Sequence, residues 1–423
     1  MAKMQYKSAV VRISLVASLG GLLEFFDFSL FLFLIDSISR NFFAESQGSG
    51  SFETLIIFSV GFVVRPLGGI FFGHLGDRWG RKKAFQYSLT LMSLSSFFIA
   101  VLPSFDRIGW WAPVLLLLAR LVQGFSLGGE IPGAAIFSSE HFPEKRGMVN
   151  GLLFLGVTWG MLLTSLVILL VKLFLPESAF PHYGWRVCYV FGGLAGLLVL
   201  WLRSSFKEPQ IFHDFIKKKR KFPLIDLFRN SKREIMHAFF AMALTSGNLF
   251  VMARIPEFIN KYSSLHIENN SQVSVFLFGI YGLLIFLSGW ISDRFGRKNV
   301  MLWGSVMALV GSFFFFMALP HFSSYLELYI WLAIWALALA PTNGTFACFA
   351  IERFPTSYRL SGFAFCYNLG FAFFAGIIPL VLTSLMNKLS GDYVLMGFVL
   401  ILSVIVLVNT LLSKDYFEDD LKF

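Results

Sequence analysis

Charged residues are scarce in this chain of 423 residues: Asp, Glu, Lys and Arg together make up 14% of it, while 56% of its residues are hydrophobic. The mean hydropathy is +0.70. A single water-soluble core of this length does not bury so much apolar surface, which excludes an ordinary soluble domain. Apolar runs of about 20 residues, the length of a helix that crosses a hydrocarbon layer, predict a membrane protein instead.

Cysteine and histidine are also few. The three cysteines show no CxxC spacing, and no pair among the seven histidines has the spacing of metal ligands. We therefore expect no disulfide framework, no metal and no cofactor. The net charge of +10 is compatible with a protein that binds nucleic acid. The basic residues are spread over short connectors, however, which favours membrane topology over nucleic-acid binding.

The apolar runs predict an all-α membrane protein with about twelve spanning helices. Their approximate bounds are 11–35, 52–74, 84–102, 113–136, 148–172, 185–203, 235–259, 271–292, 300–319, 325–348, 361–386 and 392–413. Lys and Arg concentrate on one side, so the positive-inside rule predicts that both termini are cytoplasmic. We predict four segments: a six-helix half at 1–203, a basic cytoplasmic linker at 204–234, a second six-helix half at 235–413 and a cytoplasmic tail at 414–423.

A charged, glycine-containing motif occurs twice. GHLGDRWGRKK, around Asp77, returns as GWISDRFGRK around Asp293, 216 positions later. A second pair, SSEHFPEKRG and AIERFPTSYRLSG, places Glu140 and Glu352 at a separation of 212 positions. Two markers with nearly equal offsets indicate a duplicated six-helix unit. Many secondary transporters are built from such internal repeats.

These motifs carry a resemblance to a known family. The stretch RPLGGIFFGHLGDRWGRK at 65–82 is similar to the signature loop of the major facilitator superfamily. With EFFDF at 24–28 and RLVQGFSLGGEIPGA at 120–134, the chain resembles the metabolite:proton symporter family of that superfamily. Members of that family take up osmolytes, citrate, 2-oxoglutarate or shikimate-like compounds. The resemblance implies two pseudo-symmetric six-helix halves, alternating access and residence in a bacterial inner membrane.

The resemblance also implies a gating latch that stabilises the state closed to the cytoplasm. The latch candidates are Gly73, Asp77, Arg78, Gly80, Arg81, Glu140, Arg146, Asp293, Arg294, Arg297, Glu352 and Arg359. Its glycines permit a tight turn, and its aspartate can lie against a helix N-terminus or an arginine of the other half. The alternative is a loop that is basic only because it lies on the cytoplasmic side. The repetition of the aspartate together with its glycines disfavours this alternative.

Charged residues inside the predicted spans are the main functional candidates, because a charge near the bilayer centre costs about 2.5–3.5 kcal/mol on insertion scales. They are Glu24, Asp27, Arg65, Arg120, Glu130, Arg254 and Glu257. Each of them calls for a partner.

Glu24 and Asp27 lie three residues apart, on one face of a helix. Two carboxylates in a low dielectric do not both ionise readily, so the pair suits proton uptake and release. We expect Arg120 to be their cationic partner, so that protonation breaks an ion pair and biases the direction in which the carrier faces. The alternative is a permanent ion pair between these carboxylates and an arginine, which would hold the first half together without taking part in proton transfer. For Glu130, a place in the proton path and an ion pair between helices are equally good interpretations.

Arg254 and Glu257 again share a helical face, and an arginine fork recognises carboxylates through two parallel hydrogen bonds. If Arg254 faces the cavity, the substrate is anionic or zwitterionic. If it pairs with Glu257 near the outer surface, it says nothing about the substrate. The other substrate-binding candidates are Asn248, Asn343, Tyr367 and Asn368, with interhelical hydrogen bonding as the alternative for each.

These features predict a proton-coupled symporter that imports a small organic acid or zwitterion by alternating access. An exporter or uncoupled facilitator of the same fold is the alternative. The span at 148–172 lacks the glycine–proline signature of the superfamily's exporters, which favours import. No nucleophile–base constellation is evident, so we expect no enzyme. The expected partners are the solute, protons and membrane lipids, with no nucleic acid, and we expect a functional monomer.

Overall fold

The computed structural model describes residues 2–43, 50–79, 81–176, 178–204, 223–265, 267, 270–355, 358–386 and 391–416. These residues are almost entirely helical and contain no strand. The helices are α1 (Ala2–Phe33), α2 (Ile35–Phe42), α3 (Gly50–Val63), α4 (Arg65–Trp79), α5 (Arg81–Val101), α6 (Phe105–Ile108), α7 (Trp111–Ser126), α8 (Glu130–His141), α9 (Arg146–Phe174), α10 (Trp185–Ser204), α11 (Pro223–Asn230), α12 (Lys232–Ala241), α13 (Ala243–Tyr262), α14 (Asn270–Phe295), α15 (Arg297–Ala318), α16 (Tyr325–Ile351), α17 (Arg359–Gly370), α18 (Ile378–Met386) and α19 (Gly391–Leu412).

Twelve spans can be assembled from these helices. Within the described residues, nine helical segments are long and apolar enough to cross a membrane, and the bent pair α1–α2 adds a tenth. The shorter apolar helix Gln86–Val101 and the 20-residue α10 complete the set. In chain order the spans are α1–α2, α3–α4, α5, α7–α8, α9, α10, α12–α13, α14, α15, α16, α17–α18 and α19. The predicted all-α membrane fold is therefore confirmed.

The outer surface of the bundle explains why so much of the chain is apolar. Large side chains such as Trp201 and Trp303 are exposed by 67% and 70%, respectively. A bilayer covers such side chains, and the helices satisfy their own backbone hydrogen bonds within it. Many of the polar residues are instead buried between the helices.

Spans 1–6 and spans 7–12 form the two halves of the molecule. The main contacts between them join span 5 to span 8 and span 2 to span 11. A two-fold operation that carries each span to the one six places later exchanges these two interfaces. The packing thus has the pseudo-symmetry that the sequence repeat predicts.

Span 5 and span 8 approach each other most closely at a pair of glycines. A Cβ atom added to Gly147 would lie 2.3 Å from the carbonyl oxygen of Gly289, and one added to Gly289 would lie 2.5 Å from that of Gly147. Only residues without a side chain allow helix backbones to pack so tightly. The halves are therefore closed at this end of the bundle, which we call the latch end because Gly147 and Gly289 belong to the repeated motifs.

Besides the breaks between α7 and α8 in span 4 and between α12 and α13 in span 7, three irregularities interrupt the spans. The helices of span 1 are bent by 60° around Leu34, and span 2 breaks at Val64 between α3 and α4. Span 11 contains a π-helical stretch, Phe371–Ile377, between α17 and α18. Such π-helical turns occur frequently at functional sites. Two of the three irregularities adjoin the charged site described below.

The predicted linker at 204–234 is described only in part. Its basic run at 217–221 lies outside the described residues, whereas its last third contains the short helix α11. This helix packs against α17 of span 11. The seventh span begins at Lys232, three residues before the predicted start.

Candidate functional site

Two carboxylates on span 1 form the centre of the candidate site. Glu24 and Asp27 are 0% and 1% exposed, respectively. Their spacing places both on the side of α1 that packs into the first half, as the sequence predicts. Each side chain faces a different arginine, so the two carboxylates form two separate units.

Asp27 accepts hydrogen bonds from two polar side chains on two other spans, and a third side chain reaches it through one of them. The Gln123 amide donates to Asp27 Oδ2 at 2.5 Å, and the Ser96 hydroxyl donates to Asp27 Oδ1. Arg120 Nη1 in turn donates to Gln123 Oε1 at 2.6 Å. Arg120 thus reaches the predicted carboxylate through an amide bridge. Sequence reasoning missed Gln123 and Ser96, although Gln123 lies within the quoted RLVQG stretch.

Glu24 pairs with a different arginine from the one expected. Arg65 Nη2 lies 3.7 Å from Glu24 Oε1, and both side chains are fully buried. The expectation of Arg120 as the cation for both carboxylates therefore applies to Asp27 but not to the Glu24 ion pair. Arg65 had been recognised only as an intramembrane charge, because sequence does not show which way span 2 is rotated about its axis.

The aromatic surroundings distinguish the two arginines. The Arg120 guanidinium lies 4.4 Å from the ring centroids of Phe28 and Phe31 and 5.7 Å from that of Phe58, all in the first half. The Arg65 guanidinium lies among four rings: Phe28 at 5.8 Å, Phe62 at 5.6 Å, Tyr367 at 5.7 Å and Phe371 at 5.4 Å. Tyr367 and Phe371 belong to the second half. Arg65 therefore lies between the halves, whereas Arg120 lies within one.

Glu130 begins α8 and is 3% exposed. The helix that carries it packs against α1 and against α17. This position is compatible with both roles that the sequence leaves open, a proton path and an interhelical ion pair.

A small cavity lies between the halves. It is lined from both sides, by residues that include Phe25, Thr158, Thr245, Tyr281, Asn343 and Phe371. The Asn343 amide donates to the Tyr281 hydroxyl at 3.1 Å. Its volume of about 30 Å³ is too small for an organic solute, since ligand pockets typically measure ~300–1,000 Å³. The structure therefore shows the cavity in a closed form.

The predicted substrate-binding residues do not come together at this cavity. Asn343 lines it, and Asn248 lies on span 7 between the lining residues Thr245 and Leu249. Within the described residues, neither amide atom of the buried Asn248 has a hydrogen-bond partner. Asn248 and Asn343 thus remain close to the candidate binding site.

The other substrate-binding candidates lie elsewhere. Arg254 Nη2 pairs with Glu257 Oε2 at 2.5 Å, with side chains 21% and 34% exposed, which corresponds to the alternative of a partly exposed ion pair. Tyr367 belongs to the ring set around Arg65. The Asn368 amide donates to the Gly128 carbonyl at 2.6 Å and joins the two halves.

The second copy of the latch motif connects the halves directly. The Asp293 carboxylate accepts hydrogen bonds from the backbone N–H groups of Gly147 and Met148 at 2.8 and 2.7 Å. These groups belong to the N-terminus of α9, where a negative charge is favoured by the unpaired donors and the helix dipole. Arg297 Nη2 pairs with Asp293 at 2.7 Å and steadies the carboxylate.

Glu352 is the second anionic centre at the latch end. It pairs with Arg146 of the first half at 2.7 Å and with Arg297 at 3.1 Å. Burial raises the pKa of Glu352, although both arginines oppose that change. The pseudo-symmetric pair, Arg359 with Glu140, is present at 3.2 Å.

The remaining latch candidates are less informative. Arg294 is exposed and lies over the Trp290 ring, 4.5 Å from its centroid. Gly80 lies outside the described residues, as do the side chains of Asp77, Arg78 and Arg81. Gly73, also in the first copy, has no described environment.

Twelve apolar spans in two pseudo-symmetric halves, with buried charges between them, define a membrane transporter rather than an enzyme. The chain matches the Major Facilitator Superfamily over residues 17–271 and 255–420. It therefore belongs to the Major Facilitator Superfamily.

Similar proteins agree with this assignment. The chain is 33% identical to a glycine betaine/proline/ectoine/pipecolic acid transporter, OusA, of Dickeya dadantii, with 96% of this chain and 83% of that protein covered. It is 30% identical to the shikimate transporter of Escherichia coli, with 96% and 94% covered. The solved structure of the proton:xylose symporter XylE has a TM-score of 0.72 at 17% identity and covers 96% of this chain and 95% of that one, which shows the shared fold.

Proposed function

We propose that this protein is a proton-coupled symporter that imports a small carboxylate or zwitterionic metabolite by alternating access between its halves. The observation that carries the proposal is the pair of buried carboxylate–arginine units, Glu24 with Arg65 and Asp27 with Arg120 through Gln123. Buried charges in a membrane-spanning segment are typical of ion and substrate pathways. They have no evident purpose in a passive lipid-facing helix.

In this proposal the buried carboxylates of span 1, Glu24 and Asp27, carry the transported proton, and Asp27 forms a unit with Arg120 and Gln123. The neutral acid can remain bonded to the amide and the hydroxyl, whereas the carboxylate also attracts Arg120. A change of protonation therefore changes the charge balance of the first half without breaking its packing. Glu130, on α8 of span 4, is a further acidic candidate.

The names of the relatives support the solute class. Glycine betaine, proline, ectoine, pipecolic acid and shikimate all carry a carboxylate. Asn248 and Asn343, at the closed cavity, are the candidates for neutral contacts with such a solute. The remaining expectations are that the protein works as a monomer in a bacterial inner membrane, with the latch end and both termini on the cytoplasmic side, where basic residues accumulate.

The test is solute uptake by proteoliposomes that contain a pH-sensitive dye, with carboxylates, betaines, amino acids and sugars added one at a time. We expect a carboxylated solute to acidify the interior. Asp27→Asn should abolish uphill accumulation but retain exchange of labelled solute across the membrane, and Asp106→Asn, at an exposed position between spans 3 and 4, serves as the matched control. Full accumulation by Asp27→Asn would show that proton coupling does not require Asp27. Solute entry without any pH change would identify a facilitator or exporter instead.

A further inference from the structure

Arg65 is a buried charge with little direct hydrogen bonding among the described residues. It is the first residue of α4, directly after the break in span 2, and it is fully buried. Among the described residues, no acceptor makes a well-aligned hydrogen bond with its three guanidinium nitrogens: the Tyr367 hydroxyl is a neighbouring acceptor, and Glu24 lies at the longer distance of 3.7 Å. A guanidinium has five N–H donors in a planar fork that matches a carboxylate. Most of the hydrogen-bonding capacity of Arg65 is therefore unused in the closed form.

The rings around Arg65 connect it to the closed cavity. Phe371 contacts the guanidinium and also lines the cavity. Phe25, the neighbour of Glu24, lines the cavity too, and its ring centroid lies 6.3 Å from that of Phe371. One aromatic ring therefore separates the Arg65 guanidinium from the space in which a solute would lie.

The ring that separates them stands at the start of a helical irregularity. Phe371 is the first residue of the π-helical stretch Phe371–Ile377 in span 11. Its hydrogen-bond pattern differs from that of the α-helices on either side, and such π-helical stretches are rare and occur frequently at functional sites. Because Tyr367 and Phe371 belong to the second half, they also move away from Arg65 when the halves separate.

Arg120 differs from Arg65 in its position, although its Nε and Nη2 also have no hydrogen-bond partner among the described residues. It donates to Gln123, and its aromatic neighbours all belong to the first half. Separation of the halves leaves its surroundings unchanged. Arg254 is partly exposed and already pairs with Glu257 at 2.5 Å. Of these three arginines, Arg65 is the one that both adjoins the cavity and has donors to offer.

We propose that Arg65 binds the carboxylate of the solute and that it exchanges Glu24 for that carboxylate when the solute enters. This inference rests on the proposed symport of a carboxylated solute. The solute carboxylate takes the place of Glu24 at the guanidinium, and Glu24, released from Arg65, accepts one proton from the aqueous solution. The exchange adds one solute carboxylate and one proton to the site. Each solute that binds is therefore accompanied by one proton. Solute binding and proton binding are thereby coupled at a single arginine.

Other charged or titratable groups surround this exchange and define its controls. Asp27 lies one turn further along α1, where Gln123 and Ser96 donate to it. Arg120 and Glu130 lie on span 4, whose helix α8 packs against α1, and Tyr367 of span 11 contacts Arg65. Of these groups, Asp27 and Glu130 are the other carboxylic acids that can take up a proton in the same region. Their neutral variants are therefore needed beside that of Glu24.

The test measures solute binding and proton uptake together, on the purified full-length protein in weakly buffered detergent solution. The probes are glycine betaine and shikimate, each beside an analogue without the free carboxylate, namely choline and shikimate methyl ester. We expect the wild type to bind at least one carboxylated probe and to take up about one proton per solute. Its paired analogue should bind at least a hundredfold more weakly.

The variants separate the roles of the two partners. Glu24→Gln should bind the carboxylated probe at least as tightly as the wild type but without proton uptake, whereas Arg65→Gln should lose at least a hundredfold in affinity. Arg254→Gln should leave the affinity unchanged, and Glu130→Gln should still take up the proton. Because Arg65→Gln removes one member of a buried ion pair and is at risk of misfolding, the double variant Glu24→Gln/Arg65→Gln, which removes both charges, repeats the affinity measurement.

The outcomes distinguish this inference from the function on which it rests. Wild-type affinity in Arg65→Gln or in the double variant would overturn the assignment of Arg65. Proton uptake that persists in Glu24→Gln but disappears in Asp27→Asn would leave symport intact and would overturn the partner exchange alone. Wild-type protein that moves solute without protons in proteoliposomes would contradict both.

Discussion

At the scale of single residues, Gln123 connects the Asp27 carboxylate to the Arg120 guanidinium in the first half. Its amide donates to Asp27, and its carbonyl oxygen accepts from Arg120. Gln123→Leu removes both contacts while keeping similar bulk. Leaving a buried partner unsatisfied costs about 1–3 kcal/mol, so we expect proton-driven accumulation in proteoliposomes to fall by about tenfold or more. Exchange of labelled solute, which needs no net proton movement, should persist.

A matched control for Gln123→Leu is Ser95→Ala. Ser95 lies on span 3 beside Ser96, but its hydroxyl donates to Leu91 of its own helix at 2.7 Å. We expect this variant to accumulate solute normally. If Gln123→Leu also accumulated solute as well as the wild type does, the amide bridge would have no role in coupling.

The same residues show how far a sequence determines a site. Glu24, Asp27, Arg65 and Arg120 were recognisable as functional candidates, because a charge inside an apolar run is costly wherever it points. Their pairing was not recognisable, since it depends on the rotation of each helix about its axis. Uncharged Gln123 gave no comparable energetic signal.

At the scale of helices, the latch joins the end of one helix to the start of another in the opposite half. Asp293, near the end of α14, accepts from the first N–H groups of α9. Asp293→Asn removes the negative charge from this helix N-terminus, an interaction worth up to about 2 kcal/mol in partly buried geometries. We therefore expect the closed latch to open more often, by about tenfold.

Cys348 reports on that opening. It is 1% exposed, and its thiol donates to the Arg146 carbonyl at 3.0 Å beneath the latch. With Cys188 and Cys366 replaced by serine, the rate of maleimide labelling measures the accessibility of Cys348. Asp293→Asn should raise this rate about tenfold, and Asp106→Asn, at an exposed site outside the latch, should leave it unchanged. Equal rates in both variants would show that Asp293 does not hold the latch closed.

Sequence patterns predicted the number of membrane spans well and the shapes of the spans poorly. Each predicted span has a helical counterpart, because apolar length alone sets the requirement for crossing a bilayer. The bend at Leu34, the break at Val64 and the π-helical stretch of span 11 depend on local backbone geometry and on packing between helices. The sequence contains no periodic signal for them, although two of them adjoin Arg65.

At the scale of the whole molecule, the two interfaces between the halves have different chemistry. Span 5 and span 8 meet through glycines and the latch charges, whereas span 2 and span 11 meet around Arg65, Tyr367 and Phe371. Pseudo-symmetry exchanges these interfaces, but their residues differ. A rocking motion must therefore separate glycine-packed backbones in one interface and rearrange an arginine among aromatic rings in the other.

This difference predicts that a single methyl group can bias the whole carrier. In Gly289→Ala the new Cβ would lie 2.5 Å from the Gly147 carbonyl oxygen and 2.8 Å from Gly151 Cα, across the interface between the halves. Overpacking of this kind typically costs about 1–3 kcal/mol, and it acts only while the halves are closed at the latch end. We therefore expect the population open at that end to rise about tenfold or more.

The measurement is the distance distribution between spin labels at Glu144 and Asn299, two exposed positions in opposite halves at the latch end. Gly289→Ala should increase the long-distance fraction in a cysteine-free background. Gly397→Ala is the matched control, because a Cβ added there meets no atom within 4 Å, and it should give the wild-type distribution. If Gly289→Ala also gave that distribution, the close approach of spans 5 and 8 would not govern closure. A longer distance in this variant alone would show that backbone contact between these two spans sets the equilibrium between the states of the carrier.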